Sequence, residues 1–294
     1  MTAATAATDV ALRATAVARG RKRRDRIATG FMWGAFGVAA VPLLAVFYYV
    51  ARAGLKVLNW GFLTKDIPFV SASPGPGMGP AVVGTLVITG AATAMAVPLG
   101  VLGAIYLNEY GKQSRMARLI RTMADVMTGV PSIVMGLFIY TIWVLRYGFS
   151  GLAGALALGC LMLPIVVRTS EEMLRLVPAG LREGSAALGS RTWKTTVRVV
   201  LPAALPGIVS GAMLAVARAA GETAPLLFTV GVVNKSNASL SGANTALSAQ
   251  IFRNAQLPFV GAQDRAWGAA LTLILIVFVL TVLARFITAR FVRE

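Results

Sequence analysis

The sequence predicts an all-α protein that crosses a membrane six times, and three observations predict it. Hydrophobic residues make up 57% of the 294 and charged ones only 13%, far from the balance of a soluble domain. Apolar stretches of about twenty residues, the length at which a helix crosses the hydrocarbon layer, recur from residue 27 onward. Basic residues alternate between dense and sparse from one loop to the next, as the positive-inside rule requires when the spans are correctly counted.

Residues 1–26 combine Ala, Thr and Arg without a periodic apolar face, which predicts a disordered, basic cytoplasmic tail. The run Arg19, Arg21, Lys22, Arg23, Arg24, Arg26 would suggest nucleic-acid binding in a soluble chain. Set directly before an apolar span it is a topology signal, so membrane lipid is an expected partner and nucleic acid is not. Spans are expected at 27–50, 81–107, 119–145, 151–167, 205–233 and 267–287. The first of them, with an outer loop reaching residue 80, leads into a core over 81–290. Within that loop the Pro- and Gly-rich stretch 71–80 should break regular structure.

The denser basic set, including Lys112, Arg115, Arg118, Arg121, Arg175, Arg182, Arg191, Lys194 and Arg198, belongs in the cytoplasm with both termini. The expected location is therefore a bacterial plasma (inner) membrane, crossed several times. The last outer loop, 234–264, can form a short helix along the membrane surface with Leu247, Ile251 and Leu257 on one side. Two glycosylation-type matches at Asn234 and Asn237 are discounted, because nothing else indicates a secretory route. Glycine pairs such as Gly30 with Gly34 and Gly207 with Gly211 have the spacing of close helix packing.

One cysteine, Cys160, and no histidine exclude a disulfide within the chain and a zinc-type ligand cluster. No Gly-x-x-x-x-Gly-Lys-[Ser/Thr] phosphate loop occurs, so the chain has no nucleotide site of its own by this criterion. No enzymatic activity and no bound cofactor are expected of it.

The loop over 168–200 is long for a membrane connector and is itself helix-compatible. Glu183, Gly184, Ser185, Ala186, Ala187, Leu188 and Gly189 read as a small-residue helix ended by a glycine that takes a left-handed turn cheaply. Val199, Val200, Leu201 and Pro202 then turn the chain back into the membrane. On composition alone two readings stand, a rigid knob that docks a partner and an interfacial amphipathic helix that binds headgroups.

Arg218 falls inside the fifth expected span, where a charge costs about 2.5–3.5 kcal/mol on insertion scales. Glu222, one turn later, is near enough to pair with it, and Gly221 with Pro225 suggests a local break. Either Arg218 faces a watery pathway that admits an oxyanion, whose geometry a guanidinium matches bidentately, or the two residues are a buried pair that pins helices. Arg168, at the end of the fourth span, is a second candidate for substrate contact, with snorkelling to the interface as its alternative.

The spacing of Glu183, Gly189, Val199, Leu201 and Pro202 resembles the EAA loop of bacterial binding-protein-dependent ABC importers. Gly184 and Ser185 replace the usual alanines, and Val199 the usual isoleucine. Two longer segments, 163–174 (Leu-Pro-Ile-Val-Val-Arg-Thr-Ser-Glu-Glu-Met-Leu) and 217–229 (Ala-Arg-Ala-Ala-Gly-Glu-Thr-Ala-Pro-Leu-Leu-Phe-Thr), resemble the PstA permeases of phosphate-specific ABC importers. The resemblance implies a type I ABC importer permease fold and import of inorganic phosphate. It also implies a PstC-type permease partner, two copies of a PstB-type ATPase carrying ATP and Mg, and a PstS-type extracytoplasmic phosphate-binding protein. Arg168, Arg218 and Glu222 would lie on the substrate pathway, and Glu183, Gly184, Ser185, Ala186, Ala187 and Gly189 would couple to the ATPase. A sister importer for molybdate or sulfate, or a secondary transporter, is the alternative.

Overall fold

The computed structural model describes residues 2–291 except 71, 73, 74 and 76, so part of the Pro- and Gly-rich stretch lies outside the described residues. Among the described residues every regular element is helical. The chain divides into two compact units at Arg52.

The first unit is built on α1 (Thr2–Gly54), whose backbone is helical from its start. This corrects the expected disordered tail over 1–26. Ala and Arg are among the strongest helix formers, so propensity carries a helix even where no apolar stripe asks for one. From Arg24 to Gly54 the helix is long and apolar enough to cross a membrane, and Phe31, Trp33, Phe36 and Phe47 are exposed along it.

The second unit begins at Ala53, and the segment before Gly79 packs into its core. Asn59 caps α2 (Trp60–Thr64), its side chain accepting from the Phe62 amide at 2.8 Å. Phe62 and Met78 are fully buried with Ala81, Leu247 and Ala269, and the Phe62 ring lies 2.7 Å from where a Cβ on Gly268 would stand. A ring seated that closely on a helix belongs to that helix's packing unit.

Four further stretches are long and apolar enough to cross: Gly79–Gly111, Gly151–Leu176, Thr192–Ala220 and Val260–Leu283. They correspond to α3 (Gly79–Ile105) with a π-helical turn, α7 (Gly151–Leu176), α10 (Leu201–Ala220) with its lead-in, and part of α13 (Val260–Phe291). The sixth is a bent pair, α4 (Arg115–Gly129) and α5 (Ser132–Ile139), which meet at 104°. The sequence reading has a single span over 119–145 there, with Pro131 inside it. Pro131 breaks it: the residue before a proline avoids the helical region, and Val130 is extended at φ −70° and ψ 127°. A π-helical turn and the short α6 (Leu145–Tyr147) complete the return.

The fifth expected span is also interrupted, because α10 ends at Ala220 and a separate short helix, α11 (Ala224–Thr229), follows. At its start the structure moves the turn of the chain. After α8 (Ala179–Ala187) the reversal occurs around Gly189, and α9 (Thr192–Thr195) runs through a π-helical turn over Thr196–Val200 into α10. Val199 to Pro202 therefore sit within a continuous helical run, where the wider π turn accommodates a proline that has no amide to donate. Further on, the short helix expected in the last loop is present as α12 (Leu247–Ala255), with Phe252 exposed and its other side packed into the core. Leu247 is fully buried and its amide donates to Thr85 Oγ1 at 2.8 Å. Asn237, one of the discounted sequons, has its side chain engaged in this loop, donating to the Ala243 carbonyl at 3.0 Å and accepting from Ser239.

The helix at the centre is α7, packed against α3, α10, α4, α5 and α11. Small residues permit the approach: a Cβ on Gly211 would stand 2.6 Å from Thr169 Oγ1, and one on Gly207 2.3 Å from Met173 Sδ. Gly30 and Gly34, which share that spacing, have nothing within 4 Å. Gly211→Leu is accordingly expected to destabilise by about 1–3 kcal/mol through overpacking, and Gly30→Leu to be near neutral. Thermal unfolding of the two variants in detergent checks this, and equal midpoints would refute it.

Candidate functional site

Arg218 occupies the last turn of α10, and Glu222 the break that follows. The turn closes through the amides of Gly221 and Glu222, which donate to the Arg218 and Ala219 carbonyls at 3.1 Å each. Pro225 then starts α11 at a position open to a residue without an amide proton. Its Cα lies 2.6 Å from where a Cβ on Gly136 would be, so α11 is pressed onto α5. From the other side, Ser248 Oγ in α12 donates to the Glu222 carbonyl at 2.9 Å.

The bend between α4 and α5 and the break after α10 thus border a common cavity of about 240 Å³. Its walls are the α4–α5 break around Pro131, Leu161 and Ile165 of α7, and the side chains of Arg218 and Glu222. Arg218 Nε is 3.8 Å from Glu222 Oε1, an ion pair too long for a hydrogen bond. The Arg218 side chain is 69% exposed and that of Glu222 21%. At 3.8 Å the carboxylate takes none of the Arg218 donors in a hydrogen bond, and a planar guanidinium matches a tetrahedral oxyanion.

Arg168 lies elsewhere. It stands one turn past Ile165 on α7, beyond the cavity wall, and is held in an ionic network with α4. It pairs with Asp125, approaches Glu171 Oε2 at 3.5 Å, and donates to the Arg121 carbonyl at 3.3 Å. The network centres on Glu171, whose side chain is 1% exposed. Arg121 Nε and Arg175 Nη2 donate to its Oε1 at 2.7 and 2.6 Å. Arg121 reaches further, to the carbonyls of Leu107 and Lys112 at 2.9 and 2.8 Å.

The small-residue helix is present as α8, followed by the left-handed glycine: Gly189 has φ +77°. Its amide donates to the Ala186 carbonyl at 2.9 Å and the Ser190 amide to that of Ser185 at 3.2 Å, the paired bonds of a Schellman stop. Glu183, Gly184, Ala186, Ala187 and Gly189 are exposed, and Leu188 is 88% exposed. Ser185 is half-buried and bonds Thr195 Oγ1 at 2.8 Å.

Sequence reasoning missed Glu171, Asp125 and Arg121, and also Glu109 with Arg182, which pair at 2.9 Å. A signal existed. The chain has 11 acidic residues against 28 basic ones, so an acid with arginines three residues before and four after it, as Glu171 has, is marked by scarcity alone.

Residues 96–294 match the family model described as the binding-protein-dependent transport system inner membrane component. A phosphate transport system permease protein PstA 1 of Mycobacterium tuberculosis (strain CDC 1551 / Oshkosh) is 45% identical over 278 residues, covering 92% of this chain and 91% of that protein. The PstA of Yersinia pestis is 38% identical over 271 residues, covering 92% of each. A bacterial ABC transporter involved in import of the acidic polysaccharide alginate matches in structure with a TM-score of 0.59 at 15% identity, covering 90% of this chain and 98% of that one.

Removing the carboxylate charge at the centre of the network, as in Glu171→Gln, leaves three guanidiniums facing one another. This is expected to cost about 3–5 kcal/mol. Arg175→Ala, which removes a half-exposed partner, is expected to cost about 1 kcal/mol or less. Thermal unfolding in detergent ranks the two, and a larger effect for Arg175→Ala would contradict the arrangement.

Proposed function

The chain belongs to the PstA permeases within the family of binding-protein-dependent transport system inner membrane components, and on that premise we propose that it forms one wall of the phosphate pathway of an ATP-driven importer. The observation that carries the site is the cavity between the bent pair α4–α5 and the break after α10, with Arg218 and Glu222 on its wall. A guanidinium this exposed on a membrane-crossing helix would cost about 2.5–3.5 kcal/mol against lipid, so a second, PstC-type permease covers it and supplies the opposite wall. Phosphate passes between the two chains, its charge met by Arg218. Glu222 limits how tightly the anion is held, because a nearby carboxylate repels it. Arg168 is the next cation along the pathway, reached after the cavity.

The exposed face of α8 docks one of two PstB-type ATPase copies, which carry ATP and Mg, and a PstS-type binding protein delivers phosphate from the opposite side. Both termini and α8 lie in the cytoplasm, where the basic loops accumulate. Selectivity resides largely in the binding protein, so the few polar groups on the cavity wall are compatible with a specific importer.

The complex reconstituted with these partners is expected to couple ATP hydrolysis to uptake of radiolabelled phosphate, with little competition from sulfate or molybdate. Uptake driven by an ion gradient without ATP would refute the reading. Arg218→Gln is expected to abolish uptake while the complex still assembles, and Glu183→Lys to weaken retention of the ATPase on co-purification. Normal uptake by Arg218→Gln would remove that residue from the pathway.

A further inference from the structure

Arg182 belongs to α8 but turns away from its exposed face. Its Nη2 donates to Glu109 Oε1 at 2.9 Å, with Nε 3.3 and 3.4 Å from the two carboxylate oxygens. The same guanidinium donates through Nη1 to the Val177 carbonyl at 2.6 Å and through Nη2 to the Leu174 carbonyl at 2.8 Å. Those carbonyls close α7, where a helix end leaves acceptors without partners. Glu109 is 7% exposed and sits in the π-helical turn Tyr106–Gly111 that ends the second span, with Asn108 Nδ2 donating to its Oε1 at 2.7 Å.

One planar cation therefore clamps three elements: the docking helix, the end of α7 and the end of the second span. The fork geometry of arginine makes the join stiff, since both edges of the group are engaged at once. The neighbouring link from α8, between the Ser185 and Thr195 hydroxyls, is a single neutral hydrogen bond to a different element. The clamp acts on α7, the helix whose Leu161 and Ile165 form the cavity wall.

We propose that Glu109 and Arg182 are positioning residues that pass displacement of α8 to α7 and the second span, so that breaking their bridge uncouples ATP hydrolysis from phosphate passage. The inference rests on the reading of α8 as the ATPase dock, and it assigns a role to two residues that touch neither nucleotide nor phosphate.

The test uses the full complex with its partner permease, ATPase and binding protein in proteoliposomes, with hydrolysis and phosphate uptake measured on one sample. In Glu109→Gln, which keeps the shape, and Arg182→Lys, which keeps the charge, the ATPase is expected to stay bound and to hydrolyse ATP. Phosphate taken up per ATP should fall by about fivefold or more, the lower end of ordinary coupling between sites. Glu109→Asp should recover part of that ratio. A merely structural bond would lower hydrolysis and uptake together and leave the ratio unchanged, which overturns the proposal. Loss of the ATPase from the Glu109→Gln complex overturns it as well, by assigning the bridge to assembly. A wild-type complex without phosphate-linked hydrolysis sinks the importer reading and this proposal together, whereas a coupled wild type with coupled variants sinks the strut alone.

Discussion

Glu171 is almost wholly removed from water in the middle of the bundle, and its carboxylate is compensated by Arg121 from α4 and by Arg168 and Arg175 from its own helix. A buried ion costs several kcal/mol unless its partners are well placed, so this cluster holds together only while α4 keeps its position against α7. The consequence extends beyond the cluster. α4 is the first arm of the bent pair, and the bend at Pro131 is one wall of the cavity. Arg121 also holds the Leu107 and Lys112 carbonyls, so the end of the second span is fixed by the same group that neutralises Glu171.

α7 is the spine on which the other parts are hung, and both of its ends are tied down. At one end the Arg182 guanidinium takes up its last carbonyls. At the other, Ser150 caps the helix and its amide donates to the Thr229 carbonyl at 3.1 Å, while the amides of Gly151 and Leu152 donate to the outer-loop carbonyls of Gly242 and Leu240. Glycines at the crossings with α10 remove the side chains that would hold the helices apart. The cavity lies between these fixed ends, lined by the middle of α7, by the bend between α4 and α5 and by the break that follows α10. A permease has to change which end of its pathway is open, and breaks at Pro131 and Gly221 place irregular backbone against a cavity, the setting in which a membrane tolerates it.

Much of this was legible in advance where the signal is local. The small-residue helix around 183–188 with its left-handed glycine and the pairing of Arg218 with Glu222 each depend on residues within about two turns of one another, which spacing alone reveals. The helical tail was missed for a different reason. A search for an apolar stripe tests packing, whereas Ala and Arg form helix by propensity, with no packing needed. The link from Glu171 to Arg121 was missed because fifty residues separate them and no spacing rule joins them, although Arg168 and Arg175 flank Glu171 at helical spacing.

The sequence by itself therefore determined the class of molecule, the recurrence of apolar stretches, the small-residue helix with its glycine stop and the Arg218–Glu222 pair, because hydropathy, helix stops and pairs one turn apart are properties of neighbouring residues. Only the tertiary structure decided that Arg168 is bound into a salt cluster outside the cavity wall, that the segment from Ala53 to α3 packs with the core, and that Arg182 joins three elements. Each of those is a meeting of distant parts of the chain. The packing of all the helices together, and the need of each buried charge for a partner, selects which distant groups meet.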